Sequence, residues 1–445
     1  MIASAEKVRP GRVIVAAFAV AIAVGSALLS MPMATESGQR APLLDAVFTA
    51  TSAVCVTGLV TVDTGTYWST FGELAILAMI QIGGLGIMSV ASLVVVLLSR
   101  RLGLRARLVA QAQTRTLTVH DVGRVIRNVA IFSVVSELVV AAILVARFAA
   151  KYDMPLGEAL WQGVFHSVSA FNNAGFSLYA DSLVRYVGDP TVMLTISATV
   201  IVGGLGFPVV FELAKSWRRP RTWSVTTRIT VSVTAALLIA GTLVIAIVEH
   251  RNTATLGDLP ANQRFLAAVF TATMPRTAGF NAIDIAAMTP EGLLFTDVLM
   301  FIGGGSASTA GGIKVTTLGL LAVVLWAEIR GESRVNVGVR QVPVDNQRQA
   351  LAVAVLFGAL ASVATFALLR MTDLPLEPVM FEAVSALSTV GLSTGITATL
   401  PDEAKWLITV LMYVGRLGPL TLASALALRQ RERRYERPVE RTIVG

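Results

Sequence analysis

The chain has little charge, one cysteine and three histidines. Only 14% of its 445 residues are charged, against about a quarter in a soluble chain. Its single cysteine, Cys55, excludes an intrachain disulfide. The histidines have no cysteine or acidic neighbours at metal-ligand spacing, and no nucleotide motif or catalytic constellation is present. The sequence therefore predicts neither an enzyme nor a resident metal centre, and it requires no covalent cofactor.

Apolar residues take the place of the missing charge, at 54% of the chain and a mean hydropathy of +0.71. About 20 apolar residues cross a bilayer, so the composition predicts an all-α polytopic membrane protein. The predicted spans are 13–33, 74–99, 126–148, 190–213, 229–248, 293–327 with an interruption, 349–370 and 405–428. The first is predicted to be retained rather than cleaved as a signal peptide. We attribute the +8 net charge to basic loops between spans, not to nucleic-acid binding.

Four further apolar segments are too short to span and lie between the long ones, at 41–54, 158–171, 262–274 and 376–388. Each contains a phenylalanine followed 9 or 10 residues later by glycine and then Leu or Phe. These glycines, Gly58, Gly175, Gly279 and Gly391, are 117, 104 and 112 residues apart. The spacing predicts four modules, 1–100, 101–216, 217–330 and 331–445, each a span, a short re-entrant helix, a kink and a second span. We expect them in a pseudo-fourfold arrangement around one pore.

A second repeat follows each kink by about 25 residues. Its copies are Ile82-Gly-Gly-Leu-Gly86, Val202-Gly-Gly-Leu-Gly206, Ile302-Gly-Gly-Gly-Ser306 and Val414-Gly-Arg-Leu-Gly418. Close helix packing in membranes explains such glycines but not their constant register with the kinks. Two elements repeating in the same order support the division into four modules.

Basic residues predict the orientation. The N-terminus, the loops 100–127, 215–228 and 328–348, and the tail after 428 contain 25 of the 36 Lys and Arg. The positive-inside rule places these segments, with both termini, in the cytoplasm and the short helices outside. A proton- or sodium-coupled solute transporter is the alternative from another class. It predicts oppositely oriented halves and paired intramembrane acids, and neither is visible.

Four kinked segments of one orientation predict a cation path. Their carbonyls can ring a dehydrated cation, and the C-terminal ends of the short helices carry partial negative charge. The candidate ion-binding residues are Val56, Thr57, Gly58, Asn173, Ala174, Gly175, Thr277, Ala278, Gly279, Thr389, Val390 and Gly391. Arg276 is expected to point away from the axis and hold the carbonyls of its loop, with snorkelling to the interface as the alternative.

Four motifs resemble the filter loops of the Trk/Ktr/HKT superfamily of cation transporters. They are Val54-Cys-Val-Thr-Gly-Leu59, Phe171-Asn-Asn-Ala-Gly-Phe176, Arg276-Thr-Ala-Gly-Phe280 and Ser388-Thr-Val-Gly-Leu392. The eight-span layout is most similar to the membrane subunit of bacterial Ktr systems. The resemblance implies potassium uptake across the plasma membrane, with K⁺ as the transported ion and Na⁺ as a candidate activator. It also implies a homodimer on a cytosolic ring of nucleotide-binding regulatory subunits.

The resemblance also bears on ion preference. Sodium-preferring plant relatives carry serine at the first filter glycine, so Gly58 implies potassium selectivity, and a sodium-selective or sodium-coupled version is the alternative within the class. The basic tail 429–434 is predicted to contact anionic lipid or a cytosolic partner.

The interrupted sixth span predicts a buried loop, because its glycine-, serine- and threonine-rich run cannot be a lipid-facing helix. By resemblance this loop is an intramembrane gate. The gate residues are Gly303, Gly304, Gly305, Ser306, Thr309, Gly311, Gly312, Lys314 and Arg416. A phosphate-binding loop, the competing interpretation, needs Gly-Lys-Ser/Thr after a strand, which this run lacks.

Arg416 occupies the position where the first two modules have Gly84 and Gly204. A charge inside a span is a functional candidate by default. We expect it to face the cavity beside the 303–314 loop, as a barrier to cations or a holder of the loop. The alternative is a structural cation capped by carbonyls of a broken helix.

Overall fold

A computed structural model describes residues 10–100, 119–332, 334–338 and 340–418. The predictions made for the N-terminal basic residues, for most of the basic loop after residue 100 and for the tail lie outside these residues.

The regular secondary structure of the described chain is helical apart from one small hairpin, β1 (Asn336–Val337) paired with β2 (Arg340–Gln341). The helices that flank the four short segments are α1 (Pro10–Leu29), α4 (Thr70–Arg100), α5 (Val119–Tyr152), α7 (Pro190–Leu205), α8 (Phe207–Ser216), α9 (Val225–Val248), α11 (Pro290–Phe301), α12 (Val315–Ile329), α13 (Val344–Met371) and α15 (Asp402–Leu417). The short segments form α2 (Leu43–Val54), α6 (Leu156–Phe171), α10 (Ala261–Thr273) and α14 (Leu376–Ser388). A further single turn, α3 (Thr64–Tyr67), and four 3₁₀ turns lie in the loops.

Several helices suit a membrane. Among the described residues three are long and apolar enough to cross it: 126–152 of α5, α9 and α13. The bent pair α7–α8 would count as a fourth, and shorter apolar helices include parts of α1 and α4 and all of α12. Length and composition thus support a membrane protein, while the count of eight spans stays a prediction.

One predicted span is wrong as a continuous helix. The segment predicted at 190–213 is bent by 102° between α7 and α8. The bend lies at Gly206, whose φ of +88° disfavours any other residue, and Pro208 follows in the first turn of α8. Gly418, the matching glycine of the fourth repeat, also has positive φ and ends α15. The last glycine of the second repeat is therefore a helix terminator in two of its copies.

Each short helix begins directly after a proline and is buried by its neighbours. The prolines are Pro42, Pro155, Pro260 and Pro375. The phenylalanines that open the first repeat, Phe48, Phe165, Phe270 and Phe381, are all 0% exposed. They anchor the short helices in the apolar core, which explains why the repeat requires a large apolar residue there.

The helices pack as four groups that close on one another. The short helices α2, α6 and α14 each contact both helices that flank them, while α9 contacts both α10 and α11. Between groups, α4 contacts α5 and α6, α7 contacts α10, α11 contacts α14, and α15 contacts α2. The contacts therefore run from the first group through the fourth and back to the first.

Asp189 ties the start of α7 to the end of α5. Its buried carboxylate accepts hydrogen bonds from Arg147 (2.9 Å), Lys151 (3.1 Å) and Tyr152 (3.0 Å). It also caps α7 through the Thr191 N–H. Burial alone raises the pKa of this carboxyl, but the three side-chain hydrogen bonds outweigh it and lower the pKa from 3.8 to about 2. The stabilisation is therefore present above pH ~4 and lost as the pH falls through ~2.

We expect Asp189→Ala to lower the free energy of unfolding by about 2 kcal/mol, since it removes a helix cap and a charge-assisted hydrogen-bond cluster. The heat-unfolding midpoint can be read from dye labelling of the buried Cys55. Asp181→Ala is the matched control, because its ion pair with Arg185 is exposed and contributes less than about 1 kcal/mol. Equal midpoints for the two variants would contradict this role of Asp189.

Candidate functional site

The four segments after the short helices share one backbone conformation. We call residues 56–58, 173–175, 277–279 and 389–391 the glycine loops. Positive φ angles occur first at Val56 (55°), Asn173 (57°), Thr277 (67°) and Thr389 (50°), and again two residues later at Gly58 (95°), Gly175 (72°), Gly279 (72°) and Gly391 (94°). The first four are strained for residues with a side chain. Four separate parts of the chain therefore adopt the same uncommon geometry.

The glycine loops form a closed ring. If each glycine carried a Cβ, that atom would lie within 3.0 Å of a carbonyl oxygen in the next loop. This oxygen belongs to the residue that directly precedes the glycine of that next loop. The pairs are Gly58 with Ala174, Gly175 with Ala278, Gly279 with Val390, and Gly391 with Thr57. The structure thus brings the predicted glycines and the carbonyls that precede them together. Any side chain at these glycines would displace a neighbouring carbonyl.

Serine hydroxyls and backbone turns hold the loops in place. Ser52 Oγ accepts from the Gly58 N–H (3.0 Å), and Ser385 Oγ accepts from the Gly391 N–H (3.1 Å). Ser169, at the matching position of the second loop, instead donates its hydroxyl to the Phe176 carbonyl. Sequence reasoning missed these serines, although their position six residues before the glycine repeats in three modules.

The second repeat packs against the short helices. A Cβ on Gly83, Gly203 or Gly415 would lie under 3.0 Å from a carbonyl at the end of the short helix of the same module. Those carbonyls belong to Val54, Phe171 and Leu387. In the third module, Gly303 meets Gly311 of the 303–314 loop instead. The constant spacing between the first and the second repeat is therefore explained by direct contact between the two.

A cavity of about 510 Å³ lies on one side of the ring, and we call it the vestibule. The four ring glycines line it together with three carboxylates, Asp63, Asp181 and Asp284. Carboxylates at a pore mouth favour cations. Sequence reasoning missed these acids because they lie in loops of three different modules.

The 303–314 loop contacts the ring through residues that precede the ring glycines. The helix is broken there as predicted, between α11 and α12. Thr309 donates its hydroxyl to Asn173 Oδ1 (2.9 Å), and Gly311 packs against Thr389 with no room for a Cβ. The loop therefore touches the strained residues of the second and fourth glycine loops.

Backbone hydrogen bonds dock this loop onto the end of α7. The Gly305 N–H donates to the Gly204 carbonyl (2.7 Å), and Gly304 lies too close to that carbonyl to carry a Cβ. The two ends of the loop are also joined, because the Gly303 N–H donates to the Ile313 carbonyl (2.8 Å). Further internal features are the Ser306–Thr316 hydroxyl pair (2.8 Å) and the positive φ of Gly312. Several polar groups of this non-helical segment are thus paired within the protein, as buried backbone in a membrane protein requires.

Arg416 and Lys314 are bonded to carbonyls. Arg416 donates to the Thr309 carbonyl of the loop and to the Gly83 carbonyl of α4 (3.2 Å), and it is 4% exposed. Lys314 donates to Ala310 (2.5 Å). Arg416 therefore lies beside the loop, and its role as a gate residue stays a prediction. Its carbonyl contacts also match the alternative interpretation, a cation capped by carbonyls.

Arg276 does not hold the carbonyls of its loop, so that expectation is wrong. Its guanidinium is 4% exposed and donates to the Thr234 hydroxyl of α9 (3.1 Å). Its Nε and Nη1 have no hydrogen-bond partner among the described residues. The side chain is enclosed by protein, which also excludes the snorkelling interpretation. A residue on a distant helix, invisible in the local sequence, provides its contact.

Glu137 lies in the middle of α5 and is hydrogen-bonded. Its carboxylate accepts from Gln81 (3.0 Å) and from Asn172 (3.2 Å), the residue that ends α6. Glu137 therefore fixes Asn172, the residue that directly precedes the second glycine loop.

The ring suits a dehydrated cation chemically. Backbone carbonyls of the four glycine loops lie at the ring. None of the twelve residues of these loops has a charged side chain. The hydroxyls of Thr57, Thr277 and Thr389 are buried and have no hydrogen-bond partner within the described part of the chain. Hard oxygen ligands without a permanent charge are those that monovalent cations find in channel filters.

Comparison with known proteins gives a consistent result. A sequence model of TrkH, described as cation transport protein, matches residues 4–433. The chain is 40% identical over 420 residues to Ktr system potassium uptake protein B of Bacillus subtilis, covering 94% of this chain and 93% of that one. It is 37% identical over 417 residues to the protein of that name from Vibrio alginolyticus, with 94% and 91% covered.

A third relative and a solved structure extend the comparison. The potassium/sodium uptake protein NtpJ of Enterococcus hirae is 35% identical over 446 aligned positions, covering 99% and 98% of the two chains. The crystal structure of the potassium transporter TrkH from Vibrio parahaemolyticus has a TM-score of 0.74 at 18% identity. It covers 96% of this chain and 86% of its own, and shows a common fold. The resemblance inferred from the loop motifs is confirmed.

We expect Gly83→Ala to lower the free energy of unfolding by about 1–3 kcal/mol, because the new methyl group overpacks the end of α2. The matched control is Gly86→Ala in the same helix, where a Cβ meets no described atom within 4 Å. There the change should be neutral or stabilise by up to ~1 kcal/mol. Heat unfolding of both variants measures the difference, and an unchanged midpoint for Gly83→Ala would refute the contact.

Proposed function

The chain belongs to the TrkH family of cation transport proteins, and from this membership we propose that it takes up potassium ions across the plasma membrane. Two of its relatives are named as potassium uptake proteins of Ktr systems. The observation that carries the proposal is the closed ring of glycines and carbonyls formed by four separate loops.

The proposed filter is the set of glycine loops. Carbonyls of the residues before the ring glycines, with the unpartnered threonine hydroxyls, replace the hydration shell of K⁺. The C-terminal ends of the short helices add partial negative charge, and the vestibule carboxylates raise the local concentration of cations. Selection therefore needs no ionised group at the ring, and passage follows the electrochemical gradient.

We propose that the chain crosses the membrane eight times. In this arrangement residues 1–100, 101–216, 217–330 and 331–445 are four modules about a pseudo-fourfold axis, with the vestibule outside and both termini in the cytoplasm. The closed order of contacts among the four helix groups supports it, as does the distribution of basic residues.

The 303–314 loop is the proposed gate. The hydrogen bond from Thr309 to Asn173 and the contact of Gly311 with Thr389 join the loop to the filter loops. Arg416 holds the loop against α4 through two carbonyls. Releasing these contacts, together with the backbone hydrogen bond from Gly305 to Gly204, would free the loop without unfolding the surrounding helices.

The partners are proposed from the relatives. The name Ktr system implies further components. We propose a homodimer controlled by a cytosolic, nucleotide-binding regulatory ring, in contact with membrane lipid and with Na⁺ as an activator.

A sodium-transporting version is the second candidate, because one relative is named a potassium/sodium uptake protein. Cation flux through the purified protein in liposomes separates the two. The proposed function predicts uptake of K⁺ and Rb⁺ well above Na⁺ without a proton gradient. Equal uptake of all three ions, or uptake that requires protons, would refute it.

Gly58→Ser should reduce the ratio of potassium to sodium flux by about tenfold or more, because its side chain displaces the Ala174 carbonyl from the ring. Gly38→Ser is the matched control, since Gly38 also has positive φ (69°) but open space around it. The measurement is the K⁺/Na⁺ flux ratio in liposomes. If both variants keep the ratio of the unaltered protein, the filter assignment is wrong.

Arg416→Ala should raise potassium flux about tenfold. A charge-assisted hydrogen bond contributes about 1.5–3 kcal/mol, and each 1.4 kcal/mol changes the closed-to-open ratio tenfold. Lys405→Ala, near the start of the same helix, should leave flux unchanged. Unaltered flux from folded Arg416→Ala protein would contradict the proposal that Arg416 holds the gate loop closed, and loss of folded protein would favour the purely structural role.

A further inference from the structure

A second cavity, of about 750 Å³, lies away from the ring on the flank of the molecule. Residues of α11, α12, α13 and α14 line it, and most of them are apolar. Leu294, Val298 and Phe366 at its rim are more than half exposed, so the cavity opens sideways on the apolar surface. Its size falls in the usual range of small-molecule sites, about 300–1,000 Å³.

Asp297 is the one ionisable residue in this lining. It lies about 10 Å along α11 from Pro290 and is 6% exposed. Neither carboxylate oxygen has a hydrogen-bond partner among the described residues, and Oδ1 is fully buried. The lining hydroxyls do not help, since Ser362 and Thr365 donate to Gly358 and Ala361 of their own helix.

The other buried carboxylates of the described chain all have partners. They are Glu73, Glu137, Asp189, Glu249 and Glu382. Burying a carboxylate without a partner is costly. Asp297 is therefore the exception, and it lines a cavity large enough to supply a partner from outside.

We propose that this cavity binds a lipophilic amine, a molecule with one protonated ammonium group on an apolar body, with Asp297 as its counter-ion. The ammonium complements the unpaired carboxylate, and the apolar body covers Phe301, Leu318 and Phe366. No lysine, arginine or histidine lines the cavity, so a phosphate or carboxylate head group would meet only apolar groups and a like charge. This binding does not depend on the proposed transport function.

The test is heat unfolding of the full chain in detergent, followed by tryptophan fluorescence, with decylamine as probe and decanol as its uncharged counterpart. Decylamine should raise the midpoint saturably, by roughly 3 °C at ~100 times its dissociation constant. Decanol should not. Asp297→Asn should abolish the shift, and Asp373→Asn, which removes an exposed carboxylate just after α13, should keep it.

A cavity-filling variant tests the same site without touching the carboxylate. At Gly358 the nearest atom to a new Cβ is Phe301 Cζ at 3.9 Å, so Gly358→Leu fits by occupying the cavity. It should also abolish the decylamine shift, and it decides the matter if Asp297→Asn does not fold. An equal shift in either folded variant, an equal shift with decanol, or no saturable shift in the unaltered protein would overturn the proposal.

Discussion

Closure of the four glycine loops is the constraint on which the rest of the structure depends. Each ring glycine leaves space for a carbonyl of the next loop, and a Cβ at any of them would close that space. Because each glycine lies against a carbonyl of the next loop, a side chain added in one loop would displace the next loop. The short helices, with their opening prolines and buried phenylalanines, anchor the loops in the apolar core. Such non-helical backbone is tolerated in a membrane protein only where protein or a water-filled cavity surrounds it.

The second repeat and the 303–314 loop extend this arrangement. Gly83, Gly203 and Gly415 let the following helix approach the end of each short helix. At Gly303 the 303–314 loop takes the place of the short helix in that contact and reaches the strained backbone of two glycine loops. Arg416 then joins the loop to α4. The proposed gate and filter are thus in direct contact, and a movement of one must alter the packing of the other.

Buried charges fall into two groups. Asp189 and Glu137 are surrounded by donors and hold helices together. Arg276 has one hydrogen bond, and Asp297 has none within the described residues. A buried charge without sufficient partners costs stability unless something compensates it. For Asp297 the adjoining cavity supplies the room for such a compensating group.

The sequence by itself determined the helical membrane class, the short helices to within about two residues, the positions of the kinks and the break between α11 and α12. These features depend on local patterns: apolar run length, proline and glycine. Only the tertiary structure decided the bend at Gly206, the Thr234 partner of Arg276, the contact of Glu137 with Asn172 and the acidic vestibule. Each of these depends on groups brought together from distant positions or on packing between modules, and no local pattern encodes those distances.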